Sequence, residues 1–204
     1  MNRKRVVAIA VASVLALVLL IGGMLAFFTD TDTKTNVFTL GDNVEISLTE
    51  VWTPADGLNL HPGAVVTKKP SIKNDSTTTP AYVFAEVIVP CYATTGTTAD
   101  AELFEFTANS DWALINTPEI DTDSKTKTYV YAYGTDTAMT TLDENTTTES
   151  AVFDQVTLKS SLTKEQKGTA KEEPNIEINA YGIQVDNLGT TVPAEIYNIV
   201  NPAP

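Results

Sequence analysis

Ala81-Tyr82-Val83-Phe84-Ala85-Glu86-Val87-Ile88-Val89 is the most apolar stretch of the chain outside its amino-terminal segment. Side chains of an extended chain alternate with a period of two, so Val83, Ala85, Val87 and Val89 share one face while Tyr82, Phe84, Glu86 and Ile88 share the other. Branching at Cβ suits valine and isoleucine to a pleated surface better than to a helix. A strand that is apolar on nearly every position of both faces is expected in the middle of a sheet, covered from both sides.

The segments around it read the same way. Upstream, Val44, Ile46 and Leu48 alternate with Glu45, Ser47 and Thr49, the pattern of a strand with one buried face. A Pro/Gly/Asn segment from Pro54 to Gly63 interrupts the alternation, and Lys68-Lys69-Pro70-Ser71-Ile72-Lys73-Asn74 resumes as a short extended piece whose basic pair is expected at a solvated edge. Downstream, strands are expected at Leu103–Thr107, Trp112–Ile115, Thr128–Tyr133, Ala151–Leu158 and Ile176–Val185, separated by turns rich in Thr, Asp, Asn and Gly. Thr135 to Ser150 is polar, threonine-rich and without period, and is expected to be a long loop or partly disordered. Only Ser161–Lys167 and Ala194–Val200 look helical. Threonine supplies 32 of the 204 residues, which tilts the whole chain toward strand. The expected fold is all-β, a jelly-roll-like β-sandwich with long polar loops and a short C-terminal helix, preceded by an N-terminal signal helix.

That leader is read from Arg3, Lys4 and Arg5, followed by twenty uncharged residues, Val6 to Leu25, and then a polar stretch. This is the layout of a secretory signal. The apolar run is also just long enough to cross a bilayer, so an uncleaved anchor is the alternative, with the positive flank inside in either case. Gly22, Gly23 and Ala26 supply the small residues a peptidase needs, and the cleavage region is placed at Ala26, Phe27 and Phe28. The expected organisation is a signal peptide at 1–27, an N-terminal arm at 28–42, one sandwich domain at 43–190 and a C-terminal tail at 191–204. Removing 1–27 takes away three basic residues and no acidic one, leaving 10 basic against 26 acidic, a net charge of −16. Such a surface repels nucleic acid and anionic lipid, so no nucleic-acid partner is expected and the membrane enters only through the signal segment.

Catalytic chemistry has little to work with. Zinc hydrolysis commonly uses two histidines one helical turn apart and a glutamate, and the chain holds one histidine, His61, in a Pro/Gly turn. The only cysteine, Cys91, lies beside Val87, Val89 and Tyr92, where a buried thiol is expected, with an intermolecular bridge as the alternative. No catalytic residue, cofactor-binding residue or metal ligand is assigned. Asp30-Thr31-Asp32-Thr33 and Asp121-Thr122-Asp123-Ser124 are candidates for weak calcium sites, without the glycine and distal glutamate of an EF-hand.

One stretch carries more. Gly22-Gly23-Met24-Leu25-Ala26-Phe27-Phe28-Thr29-Asp30-Thr31-Asp32, followed by Val37-Phe38-Thr39-Leu40-Gly41 and Val44-Glu45-Ile46-Ser47-Leu48, resembles the TasA and camelysin family of Gram-positive bacteria. Leu60-His61-Pro62-Gly63 with Thr67-Lys68 and Ile72-Lys73-Asn74 resembles that family's PG turn and next strand, and Ile176 to Gln184 its closing strand. The resemblance implies cleavage by a SipW-type signal peptidase before Phe28 or Phe27, and export. It further implies a jelly-roll subunit that polymerises into matrix fibres when the N-terminal segment of one copy completes the sheet of the next, an instance of β-strand addition. In this chain the candidate assembly arm would present Phe28, Val37, Phe38 and Leu40. Camelysin-like members have been described as metalloproteases, which the residues above do not support. The functional expectation is therefore a secreted structural subunit of a biofilm-type matrix, a homo-oligomer or fibre. The alternatives are a cell-surface adhesin or binding module anchored by the leader and, more remotely, a metalloprotease.

Overall fold

The computed structural model describes residues 44–92, 101–170 and 174–202. The leader, the cleavage region Ala26–Phe28 and the arm with Val37, Phe38 and Leu40 lie outside the described residues.

The chain forms two antiparallel sheets facing each other. In chain order the strands are β1 (Ile46–Trp52), β2 (Val65–Asn74), β3 (Ala81–Pro90), β4 (Phe104–Ala108), β5 (Trp112–Leu114), β6 (Ile120–Asp121), β7 (Thr126–Tyr133), β8 (Phe153–Leu158) and β9 (Glu177–Gln184). A 3-10 turn, Pro54–Gly57, follows β1, and two helices, α1 (Lys164–Thr169) and α2 (Pro193–Val200), flank β9. The first sheet has the order β1-β2-β8-β4 and the second β5-β7-β3-β9, with β6 also on β7. Strands remote in sequence thus become neighbours, as the expected all-β sandwich requires.

β3 is the central strand. It pairs with β7 from Phe84↔Ala132 to Pro90↔Thr126 and with β9 from Ala81↔Gln184 to Ile88↔Glu177. Its inner face, Val83, Ala85, Val87 and Val89, has no solvent exposure and packs on Ile46, Val66, Ile72, Phe153 and Val156 of the opposite sheet. Phe84, on its outer face, is covered by α2 through Ile196 and Val200. The Tyr197 ring lies 5.4 Å from Phe84 and 5.6 Å from Tyr181. Helix α2 starts on Pro193, whose fixed φ suits the first helical turn.

The sandwich closes differently along its two margins. On the β1/β9 side, a Cβ added to Gly182 would stand 2.8 Å from Cγ2 of Ile46 and 3.2 Å from Cγ1 of Val44, so the absence of a side chain lets β1 approach β9. On the β4/β7 side aromatic rings fill the gap, with Phe106 5.5 Å from Tyr129 and 4.8 Å from Phe153. A register shift between β4 and β8 sets Ala108 opposite Phe153 and Phe106 opposite Val156, which is how Phe153 and Val156, three positions apart, both face inward.

Two expectations are corrected. The basic pair Lys68-Lys69 is not at a sheet edge, since β2 begins at Val65 and pairs with both β1 and β8. Lys68 is drawn down over the Trp52 ring, 5.2 Å from its centroid, and pairs with Glu50 at 2.5 Å, while Lys69 pairs with Asp154 at 2.9 Å. Each charge finds a carboxylate on a neighbouring strand, so a central position costs it little.

The segment Thr135–Ser150 is irregular, as expected, but it is anchored. Leu142 is buried and exchanges backbone bonds with Ala81, 2.8 and 3.0 Å, and the Thr148 amide donates to the Ile72 carbonyl at 2.9 Å. Fully buried Asn74 donates to the carbonyls of Thr79 and Leu142 and accepts from the Ser76 amide, so its amide group holds this loop to the end of β2.

Candidate assembly edge

β1 is an edge strand: among the described residues it pairs on one side only, with β2. An edge strand presents a row of backbone N–H and C=O groups to whatever lies beside it. The two halves of β1 differ. Ile46 at its start is 3% exposed, whereas Leu48, Trp52 and Val51 are 36%, 37% and 63% exposed. Alternation puts Leu48 and Trp52 on the core-facing side and Val51 on the outer side, so this half of the strand shows apolar side chains, beside Thr49 and Glu50, on both faces. The Trp52 indole rests on the 3-10 turn, where a Cβ on Gly57 would come within 2.7 Å of the ring. Val65, at the start of β2, and Leu58, after the 3-10 turn, add further exposed apolar surface.

At the opposite margin, just before β4, stands a buried charge cluster. The carboxylate of Glu102, 6% exposed, accepts from Lys127 Nζ at 2.7 Å and from the Tyr129 hydroxyl, with Lys159 Nζ at 3.5 Å. Burial by itself would raise the Glu102 pKa; the bonds from Lys127 and Tyr129 outweigh it and bring the carboxyl down to about 2. Burial, and then the bond to Glu102, push the Tyr129 hydroxyl up. Cys91 is fully buried, with Sγ 3.7 Å from the Val89 carbonyl, and burial followed by the nearby Glu102 charge pushes its thiol up to about 11. A protonated, enclosed thiol is a poor nucleophile. The cluster joins β7 of one sheet to the ends of β4 and β8 of the other, which is a structural task.

The candidate cation and histidine positions are placed as follows. Asp121 ends β6, and its Oδ1 accepts from the amides of Asp123 at 2.9 Å and Ser124 at 3.2 Å, closing the turn into β7. The Ser124 side chain and these amides hold the Asp121 carboxyl below its usual range. Asp30 and Asp32 lie outside the described residues. His61 is exposed in the turn before β2, where its carbonyl accepts from the Ala64 amide at 2.9 Å. Among the described residues, no three of His, Cys, Asp and Glu stand close enough to hold a metal ion.

A family model described as camelysin metallo-endopeptidase matches residues 1–102. The chain belongs to the camelysin family. No curated protein and no solved structure matches it. The matched half of this camelysin-family chain takes in β1 to β3 and ends at Glu102.

The family's description implies a metal, and the described residues do not fit one. A catalytic zinc takes three protein ligands around an open position, usually with a histidine among them. The single histidine is exposed in a turn. The most buried carboxylate, Glu102, is already held by two lysines and a tyrosine.

Of the residues singled out from the sequence, Ala26, Phe27, Phe28, Val37, Phe38 and Leu40 lie outside the described residues. The exposed half of β1 and the Glu102 cluster escaped the sequence reading. Val51 and Trp52 do continue the alternation past Leu48, a signal for a longer strand. Nothing local marks Glu102, whose partners are 25, 27 and 57 residues away.

Proposed function

We propose that this chain is a secreted structural subunit of an extracellular, biofilm-type matrix. In this reading a SipW-type peptidase removes the leader before Phe27 or Phe28, and the freed arm, residues 28–42, of one copy adds as a strand to the open edge of β1 in the next. The observation that carries it is the half-exposed β1. Main-chain groups at a sheet edge supply the affinity of strand addition, and exposed Leu48, Val51 and Trp52 supply apolar contact for alternate side chains of the incoming strand. The arm offers Phe28, Val37, Phe38 and Leu40 for that contact. Family membership supports the same reading through the resemblance of the junction and arm to the fibre-forming TasA relatives.

The test is N-terminal mass spectrometry on protein from the culture medium and from washed membranes. Chains beginning at Phe27 or Phe28 in the medium are expected; chains retained in membranes with Met1 intact would contradict a released subunit and make this an anchored surface module.

The family's description favours a second reading, a metallo-endopeptidase. It predicts peptide hydrolysis by the released chain that a chelator abolishes and zinc restores. The matrix reading predicts no such hydrolysis.

A further inference from the structure

A groove of about 430 Å3 opens on the outer face of the second sheet, between α2 and the β5–β7 pair. Glu86 of the central strand β3 lies in it, with Ile115, Val130, Ala194, Tyr197 and Asn198 among its walls. Glu86 accepts from Asn179 Nδ2 at 2.9 Å and from the Tyr181 hydroxyl at 3.0 Å, both on Oε2. The ion-paired carboxylates among the described residues, on Glu50, Asp75, Glu102 and Asp154, take lysines as partners, whereas these donors to Glu86 are neutral. Glu86 is half-buried on the strand that anchors the fold.

We propose that this groove is a binding site for an alkylammonium group, with Glu86 receiving the ammonium and Ile115, Val130 and Ala194 enclosing the methylene stem. A half-buried carboxylate attracts an ammonium by charge and accepts its N–H donors. The apolar walls suit a chain of methylenes such as a lysine carries. A sugar fits less well, because stacking needs a free aromatic face and the Tyr197 ring is taken up by Phe84 at 5.4 Å and Tyr181 at 5.6 Å. The net charge of −13 favours cation capture generally, and Glu86 adds partial burial and apolar walls. The site is independent of the matrix reading, since β1 takes no part in it.

The test is NMR titration of the full chain in a mild nonionic detergent at pH 7, with a lysine capped at both backbone ends, n-butylammonium, and capped norleucine as the uncharged match. Saturable shifts confined to Ile115, Val130 and the α2 residues are expected with both cations, and none with norleucine. Tighter binding of capped lysine would assign the site to a protein lysine, and tighter binding of n-butylammonium to a free amine. Glu86→Gln retains an acceptor for Asn179 and Tyr181 and should weaken binding at least about fivefold. Ala194→Met, which fills the groove from the helix side without touching the carboxylate, should do the same while leaving the fold's spectrum intact. Equal shifts with norleucine, undiminished binding in both variants, or no localised shift would overturn the proposal.

Discussion

β3 and β1 each carry one glutamate among several apolar residues, unbroken by Ser or Thr in β3 and interleaved with Ser47 and Thr49 in β1, and they finish in opposite surroundings. In β3 both flanks are paired, the inner face is covered by the opposite sheet, and Phe84 on the outer face is covered by α2. In β1 one flank is paired, the first residues are buried against Gly182, and the last are exposed on both faces. Apolar type alone therefore does not make Leu48, Val51 and Trp52 core residues. Neighbours decide that, and apolar residues left uncovered on an edge strand are a place where another chain can bind.

The contrast can be broken most severely at its covered end. Phe84→Ala removes a ring enclosed by Ile196, Val200 and Tyr197, and should destabilise the chain by about 3–5 kcal/mol in urea unfolding. Amide exchange in α2 should rise with it; an unchanged helix would mean that α2 is not held by this face.

Glu102→Gln tests the margin far from β1. A carboxyl held down to about 2 contributes stability that is full above its unfolded pKa, near 4.5, and is lost as the pH falls toward 2. The wild type should accordingly lose about 3 kcal/mol over that window, and the variant should lack this loss while being about that much less stable at pH 7. Thermal melts of the two proteins from pH 7 to pH 2 would show it as converging curves.

Gly182→Ala acts at the buried start of β1. The new methyl meets Ile46 at 2.8 Å, so the strand must shift, at a cost of about 1–3 kcal/mol by denaturant titration. The smallest effect on stability is expected at the exposed end. Val51→Lys should leave the unfolding free energy within about 0.5 kcal/mol of the wild type, yet put a charge where an incoming strand would lie.

Much of this fold was legible because the alternation of apolar residues is local. Ala81–Val89, Trp112–Ile115 and Ile176–Val185 were placed within a residue or two of β3, β5 and β9, and the helix at 194–200 agrees with Pro193–Val200. The misreadings arose where distant residues decide. Lys68 and Lys69 read as an edge because the strands that flank them, with their carboxylates Glu50 and Asp154, are distant in sequence or not marked by any local pattern. Leu142 is one apolar residue in a threonine-rich run, and only its bonds to Ala81 reveal that the loop is anchored. The two-residue strand β6 is too short to show a period. The site was less legible than the fold. The exposure of Leu48, Val51 and Trp52 depends on what distant parts of the chain pack against them, which no spacing within β1 encodes.

Electron microscopy of concentrated protein from the culture medium, wild type beside Val51→Lys, tests the central claim most directly. The account predicts fibres from the wild type and their loss in the variant at an unchanged melting temperature. Wild-type protein that stays monomeric across salt and pH, or fibres that form equally well with lysine at position 51, would contradict it.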